Sequence, residues 1–425
     1  MFGWEFPPNI SGGLGTACYG LTKGLTSFDD VDVTFVVPKV FGDEDDSNMD
    51  FIGAGDVPII NRKISMKEFG KSIDYFEVGS KLVPYVDPED YLRQTAYTVE
   101  GTNALIETDI QGKVKFTGKY GVDLMSEIAR YALVANVIAQ DNQFDIIHAH
   151  DWLAYPAGIA AKQASGKPLV IHVHATDFDR SGGTVNPNVY AIEKRGMDVA
   201  DKIITVSNLT RKIVIEKYGI NPEKVITVYN AVEPYRHHES TSIIKGFDEK
   251  IVTFLGRITM QKGPEYFVET ASRILQKMNN VRFVMAGSGD MLNKMIRRAA
   301  QLKITDKFHF TGFLKGDDVF RMLRMSDVYI MPSVSEPFGI SPLEAMQAGV
   351  PVIVSHQSGV AEILSNAIKI NFWDVDAMAD AIHGILNYSA MSKMLARYGK
   401  KESCNLKWKD AAYKVKQVYK SAIFT

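Results

Sequence analysis

The chain has 425 residues, 46% hydrophobic and 23% charged, with a net charge of −2. That length exceeds one ordinary core and suits two or three domains, and the balanced charge gives no reason to expect nucleic acid or an anionic membrane as partner. No apolar run approaches a bilayer span, and two cysteines, Cys18 and Cys404, are too few for a disulfide framework or a metal cage, which points to a cytoplasmic setting without membrane insertion.

In chain order, MFGWEF predicts an unusually short first strand. SGGLG (11–15) then opens a helical pattern, where Gly13 and Gly15 could bring backbone amides close to a ligand or simply make a tight turn. The dinucleotide fingerprint is incomplete, because Cys18 stands where its third glycine would be. Residues 41–125 break the rhythm with an acidic run and mixed polar segments, and read as an insertion. VDVTFVVP, FDIIHAHD, PLVIHVHA, KIITVS and KVITVYN read as buried strands, with helices expected at 154–164, 188–198 and 207–218. The polar stretch 233–250 is the expected domain boundary. Beyond it, apolar runs at 251–258, 281–287, 307–313, 327–333 and 351–355 alternate with helical patterns, and KWKDAAYKVKQVYKSAI closes the chain as an amphipathic helix. Two doubly wound halves of this kind leave a ligand crevice at their strand C-termini.

Candidate residues cluster at those strand ends. Glu336 follows DVYIMPS on a loop, and Glu344 lies in the first turn of the next helix, either as part of a capping box begun by Ser341 or as a second acid over the cleft. Each carboxylate can accept two hydroxyls, which suits the diols of a sugar or ribose. Between them the amides of Phe338, Gly339 and Ile340 are candidate phosphate donors. Arg257 and Lys262 flank a turn after the first strand of the second half, where two cations could stabilise a departing diphosphate. His148, His150, His172 and His174 end two strands of the first half. A zinc site is one reading, but no third-ligand pattern accompanies them, and core histidine is expected for His148 and His172, with His150, Asp151 and His174 nearest the cleft. Four D-x-D triplets occur, of which only Asp177/Asp179 follows a strand, and no metal site is expected.

SGGLG (11–15), HAHDW (148–152), His174, VYNAVE (228–233), GRITMQKG (256–263), AGSGD (286–290) and EPFGISPLE (336–344) run in that order over nearly the whole chain. Together they resemble the motifs of family 4 of the retaining glycosyltransferases, its glycogen-synthase-like members in particular. The resemblance implies an α/β GT-B fold, with two Rossmann-like doubly wound parallel-sheet domains and an interdomain cleft. Residues 1–240 would form the acceptor-side domain, 241–400 the nucleotide-sugar domain, and 401–425 a helix crossing back. It further implies that Arg257 and Lys262 hold the diphosphate, Glu336 the sugar hydroxyls and Glu344 the ribose, with His174 near the reacting carbon. Gly13, Gly15, Asn230, Gly256, Phe338, Gly339 and Ile340 would complete the donor site, and His150, Asp151 and Trp152 would meet the acceptor. Ile10 and Glu344 depart from the starch synthases of bacteria and plants, which carry Lys and Tyr there.

The expected function is transfer of glucose from UDP-glucose or ADP-glucose to an α-1,4-glucan with retained configuration, by a metal-independent front-face mechanism needing no cofactor. A family 4 transferase building a capsule, lipid-linked or sucrose-type product, or a nucleotide-sugar epimerase, is the alternative. Oligomeric state is left open.

Overall fold

The computed structural model describes residues 1–10, 12–44, 49–59, 64–68, 71–75, 84–85, 104–105, 111–118, 120–121, 124–234 and 248–424. Two parallel sheets organise them. In the first half the order across the sheet is Asp50–Gly53, Thr34–Val37, a single bridge at Phe2, Ile147–His150, Leu169–Val173, Lys202–Thr205 and Val225–Thr227. Phe2 is the short first strand that MFGWEF predicts. Its amide donates to the His148 carbonyl at 2.8 Å and its carbonyl accepts from His150 N at 2.9 Å, while Gly3 N and Val36 N bond the strand on the other side. The order reverses at this bridge, which makes the Phe2–His150 junction the switch point of the first sheet.

The second sheet is fully regular, in the order Phe308–Gly312, Val281–Ala286, Lys250–Leu255, Val328–Met331, Val352–Ser355 and Ile368–Ile370. Its switch point lies between Lys250–Leu255 and Val328–Met331, so the segments after Leu255 and after Met331 flank one crevice. The strand cores are buried on both faces, as near-continuous runs of Val, Ile, Phe and Met require.

Helices come close to their expected positions, at Tyr155–Ser165, Pro187–Val199 and Asn208–Tyr218. The segment read as an insertion differs in one respect: Asp50–Gly53 belongs to the main sheet, parallel to Thr34–Val37. A four-residue strand placed after an acidic run, with only Phe51 and Ile52 strongly apolar, offers little periodicity to detect. Two short antiparallel pairs, Ile64–Glu68 with Lys71–Tyr75 and Pro84–Tyr85 with Ala104–Leu105, are the other strands described there, and most of 41–125 lies outside the described residues. The expected boundary at 240/241 also lies outside them.

The chain crosses back to the first lobe at 405–407. Helix Ser389–Cys404 packs on Ser341–Gln347 of the second lobe, and helix Trp408–Ile423 packs on Gly13–Leu25 of the first. That second contact is built on glycine. A Cβ at Gly20 would lie 2.2 Å from Trp408 Cε2, and one at Gly24 would lie 2.6 Å from the Trp408 carbonyl oxygen. Glycine inside a helix sacrifices about 1 kcal/mol of propensity, and here it admits a buried indole, with Ala412 and Val415 continuing the contact. Gly24→Ala should therefore destabilise the protein by about 1–3 kcal/mol despite its better helix propensity, read as a lower thermal unfolding midpoint.

Candidate active site

The second lobe places its candidate residues on two loops that support one another. After Leu255 the chain turns through Gly256, with φ at +152°, and exposes Arg257. The neighbouring Gly287 allows this approach, because a Cβ there would sit 1.9 Å from the Gly256 carbonyl oxygen. The turn Met260–Lys262 ends at Gly263 (φ +65°), where a Cβ would lie 2.0 Å from the Pro332 carbonyl oxygen. The first loop is thereby pressed against the second, and Val334 N donates to the Gln261 carbonyl at 2.9 Å. This contact brings the Lys262 ammonium into a partly buried ion pair with the Glu336 carboxylate. Glu336 itself is fixed through its backbone, its amide donating to Gln357 O at 2.9 Å and its carbonyl accepting from Gly359 N at 2.8 Å. Arg257 has no ion-pair partner among the described residues.

The helix after Glu336 runs Ser341–Gln347, with Ile340 as its N-cap. No capping box forms, because Ser341 already lies inside the helix, with its hydroxyl 2.8 Å from the Tyr329 hydroxyl. The amides of Phe338, Gly339 and Ile340 donate to no acceptor among the described residues, and Gly339 (φ +101°) turns the chain so that they precede the helix start. Glu344 is half-buried, and its carboxylate likewise accepts no hydrogen bond among them. Burial alone pushes its carboxyl up to about 7.

The first lobe supplies a row of imidazoles on one sheet face. Register pairs His150 with His172 and His148 with Val170, so all four histidines project to the side covered by helices Gly13–Leu25 and Trp408–Ile423. His148 Nδ1 lies 2.6 Å from the Tyr419 hydroxyl, and His150 Nδ1 lies 3.0 Å from His174 Nε2. Donor atoms of His148, His150 and His172 fall within 4.8 Å of one another, as do those of Cys18, His150 and His174. Within the first three, His148 and His172 are tilted by only 8°, His150 and His172 by 24°, and His148 and His150 by 32°. In the second group the His150–His174 hydrogen bond engages one ring nitrogen of each.

Asp151 follows this row with φ at +63°, one of two non-glycine residues with positive φ among those described, and it is buried. Its Oδ2 lies 3.5 Å from Arg180 Nη1, and its Oδ1 has no partner. Burial raises its carboxyl pKa, and Arg180 opposes that shift. Arg180 lies on the short helix Asp177–Ser181 and also pairs with buried Glu193, whose carboxyl burial pushes up to about 7. Asp179 on the same helix closes a capping box with Thr176 and accepts a hydrogen bond from Ser335 Oγ of the second lobe at 2.6 Å. The two lobes therefore meet at the candidate loops themselves. Met260 reinforces the contact, its Cε lying 2.5 Å from where a Cβ on Gly182 would sit.

Arg257, Lys262, Glu336, Phe338, Gly339, Ile340 and Glu344 are thus gathered on one side of the junction, and Asp151 and His174 on the other. Several expectations change. His150 is fully buried behind His174 and does not line the cleft, because it shares the sheet face covered by the C-terminal helix. Trp152 is largely buried, with Arg180 5.9 Å from its ring centroid, and Asn230 is buried in the loop after Val225–Thr227. A Cβ at Gly15 would collide with Ile10 Cγ2 at 2.2 Å, so packing explains that glycine, whereas nothing lies within 4 Å of the Cβ positions of Gly12 and Gly13. The Asp177/Asp179 pair is engaged by Asn186 N, Thr176 and Ser335. Glu362, at the end of the turn Gly359–Glu362, bridges the lobes, accepting from Asn208 N, Leu209 N and Tyr229 OH at 2.7–2.9 Å. Arg180, Glu193 and Ser335 were not singled out from sequence. DFDR carries the one local hint, a charge-dense turn directly after a strand.

Two family models match the chain, Glycosyltransferase Family 4 over residues 113–236 and Glycosyl transferases group 1 over residues 238–402. An uncharacterised glycosyltransferase of Methanocaldococcus jannaschii is 27% identical, the alignment covering 100% of this chain and 98% of the relative. A glycogen synthase of Mycobacterium tuberculosis is 24% identical, covering 99% and 94%. Among solved structures, sucrose-phosphate synthase from Thermosynechococcus elongatus superposes with a TM-score of 0.68 at 16% identity, covering 97% of this chain and 94% of the other.

The histidine row gives the folded protein a pH signature. Burial holds His148, His150 and His172 well below the usual imidazole value and His174 down to about 3. The unfolded chain binds protons below about pH 6.5 where the folded chain does not, so the imidazoles withdraw stability as pH falls below that value. Glu193 and Glu344, raised to about 7, act in the opposite sense between about 4.5 and 7, because the folded form then holds the extra proton. Four imidazoles outweigh two carboxyls, so thermal stability should drop from pH 6.5 to 5. His172→Gln should flatten that slope in a pH series of unfolding midpoints.

Proposed function

The chain is a family 4 glycosyltransferase with the GT-B fold, and from that premise we propose that it moves glucose from UDP-glucose or ADP-glucose to an α-1,4-glucan with retained anomeric configuration. The observation that carries the reading is the pairing of Lys262 with Glu336 beside three unengaged amides, Phe338–Ile340, on the loop that touches the other lobe. A nucleotide-sugar offers a matching sequence of groups. Its diphosphate takes Lys262, Arg257 and the amides, its sugar hydroxyls take the released Glu336, and its ribose diol takes Glu344.

In this mechanism the bond from the anomeric carbon to the diphosphate breaks as the acceptor hydroxyl approaches the same face. The leaving phosphate oxygen takes the hydroxyl proton. Arg257, Lys262 and the amides stabilise the charge that grows on the diphosphate, and no protein nucleophile or resident metal is invoked. His174 stands near the reacting carbon, and Asp151 offers its free oxygen to the acceptor. Gly13, whose Cβ position is open, admits the donor phosphate to the helix start. The glucan assignment rests on the likeness to a glycogen synthase and on HAHDW. A second reading, transfer to a sugar phosphate, is supported by the fold likeness to sucrose-phosphate synthase. No helix of the described residues is long and apolar enough to cross a membrane, and a cytoplasmic location accords with the two free cysteines.

A panel of UDP-glucose and ADP-glucose, each with glycogen, maltoheptaose, a hexose phosphate or no acceptor, tests the proposal by nucleoside diphosphate release. Release that requires glucan supports it, and release that requires the hexose phosphate supports the second reading. Arg257→Ala and Lys262→Ala should each lose roughly 2–4 kcal/mol of transition-state stabilisation, a fall of about 30- to 900-fold in kcat, with unfolding midpoints preserved for Arg257→Ala. Turnover at the unaltered rate by both variants would contradict the mechanism.

A further inference from the structure

Consecutive residues of the helix Asp177–Ser181 reach opposite partners. Asp179 accepts a hydrogen bond from Ser335, next to Glu336 of the second lobe, and Arg180 faces Asp151 of the first. Arg180 is the cation among three carboxylates: Nη1 lies 3.5 Å from Asp151 Oδ2, Nε lies 3.8 Å from Asp177 Oδ1, and Nη2 donates to Glu193 Oε1. Its Nη1 also donates to the Ala175 carbonyl at 3.4 Å, and the guanidinium lies 5.9 Å from the Trp152 ring centroid. Glu193 is held from behind by the Tyr218 hydroxyl and by Asp177 N at 3.2 Å, so the arginine is braced on its far side and directed at Asp151 on its near side.

Asp151 needs such a brace. Its backbone has φ at +63°, a conformation that L residues adopt at a cost, held by its amide donating to His172 O at 2.9 Å and its carbonyl accepting from Ala154 N at 3.0 Å. Its carboxylate is buried; Arg180 and, more weakly, the Ala175 and Trp152 amides favour its charged form, and Oδ1 completes no hydrogen bond. That oxygen is an acceptor with no donor, which is what a ligand hydroxyl supplies.

We propose that Arg180 is a positioning residue for the acceptor substrate, clamping Asp151 so that Oδ1 is presented to an acceptor hydroxyl, and that the Asp179–Ser335 bond on the same turn ties this carboxylate to the donor loop. The inference rests on the proposed glycosyl transfer and adds to it the residue that sets the acceptor carboxylate. A planar guanidinium reaches Asp151 and Glu193 at once, which the single ammonium of lysine does not.

The test is a cycle of Arg180→Lys, Asp151→Asn and the double variant, assayed with maltoheptaose and whichever glucose donor the wild-type enzyme uses. Arg180→Lys keeps a positive charge beside Glu193 and should retain a near wild-type unfolding midpoint. Its KM for the acceptor should rise at least fivefold while its KM for the donor stays within twofold, and the double variant should be no worse than Asp151→Asn alone. Equal losses on donor and acceptor sides, or fully additive losses in the cycle, would reduce Arg180 to a neutraliser of buried acids and overturn the proposal. A wild-type enzyme that uses a hexose phosphate and ignores maltoheptaose sinks the glucan reading alone, and the cycle is then read on that acceptor. Release to water only, unaffected by any acceptor, overturns both.

Discussion

Lys262 and Glu336 neutralise one another where two loops of the second lobe are pressed together, and the rest of the site is arranged around that pair. Neither group is well exposed, so separating them without a replacement would leave a poorly solvated charge on each side. A ligand that supplies only an anion satisfies Lys262 and strands Glu336. One that supplies only hydroxyls must compete with the ammonium for the carboxylate. A molecule carrying phosphate and diol a few atoms apart would replace both halves at once. The backbone makes the pair possible, because Gly263 lies too close to Pro332 for any side chain to intervene.

The two lobes are joined unevenly around this pair. Glu362 accepts from two amides at the start of helix Asn208–Tyr218 and from Tyr229, and the C-terminal helix seats Trp408 against Gly20 and Gly24. Those contacts are charge-assisted or widely buried. At the loops themselves the lobes also meet through the Ser335–Asp179 bond, the Met260–Gly182 approach, the Thr210 hydroxyl donating to the Pro337 carbonyl at 3.5 Å, and Phe338 packed with Val206 and Val232.

How legible this was in the sequence depended on whether a residue's partners were local. Buried parallel strands announce themselves as unbroken apolar runs, and the second sheet emerged nearly whole; Asp50–Gly53 did not, because four residues behind an acidic run carry no period. GRITMQKG and EPFGISPLE were identifiable because strand, turn and helix start are written consecutively. The capping-box alternative for Glu344 failed by one residue, since the helix begins at Ser341 itself. Glu362 looked like an ordinary first-turn acid because its partners stand on the other lobe, about 150 positions away in sequence. His150 was expected at the cleft from strand alternation, yet alternation fixes only which face a side chain takes. What covers that face, here the C-terminal helix, is a tertiary fact.

Polar groups are left unengaged on both sides of the junction. The second lobe leaves the amides of Phe338–Ile340, the guanidinium of Arg257 and the Glu344 carboxylate. The first leaves an acceptor, Asp151 Oδ1, in a row of imidazoles that burial keeps uncharged. A substrate pair that completes both must be rich in anionic oxygen at one end and present a hydroxyl hydrogen at the other. Glycosyl transfer has that polarity throughout, since negative charge accumulates on the departing diphosphate while the incoming hydroxyl gives up a proton. A positive charge on the histidine row would work against that division by drawing anions to the acceptor side. Its burial under Tyr419 and the C-terminal helix disfavours that charge, so the crossing of the chain back to its first lobe holds the row neutral as well as packing the fold.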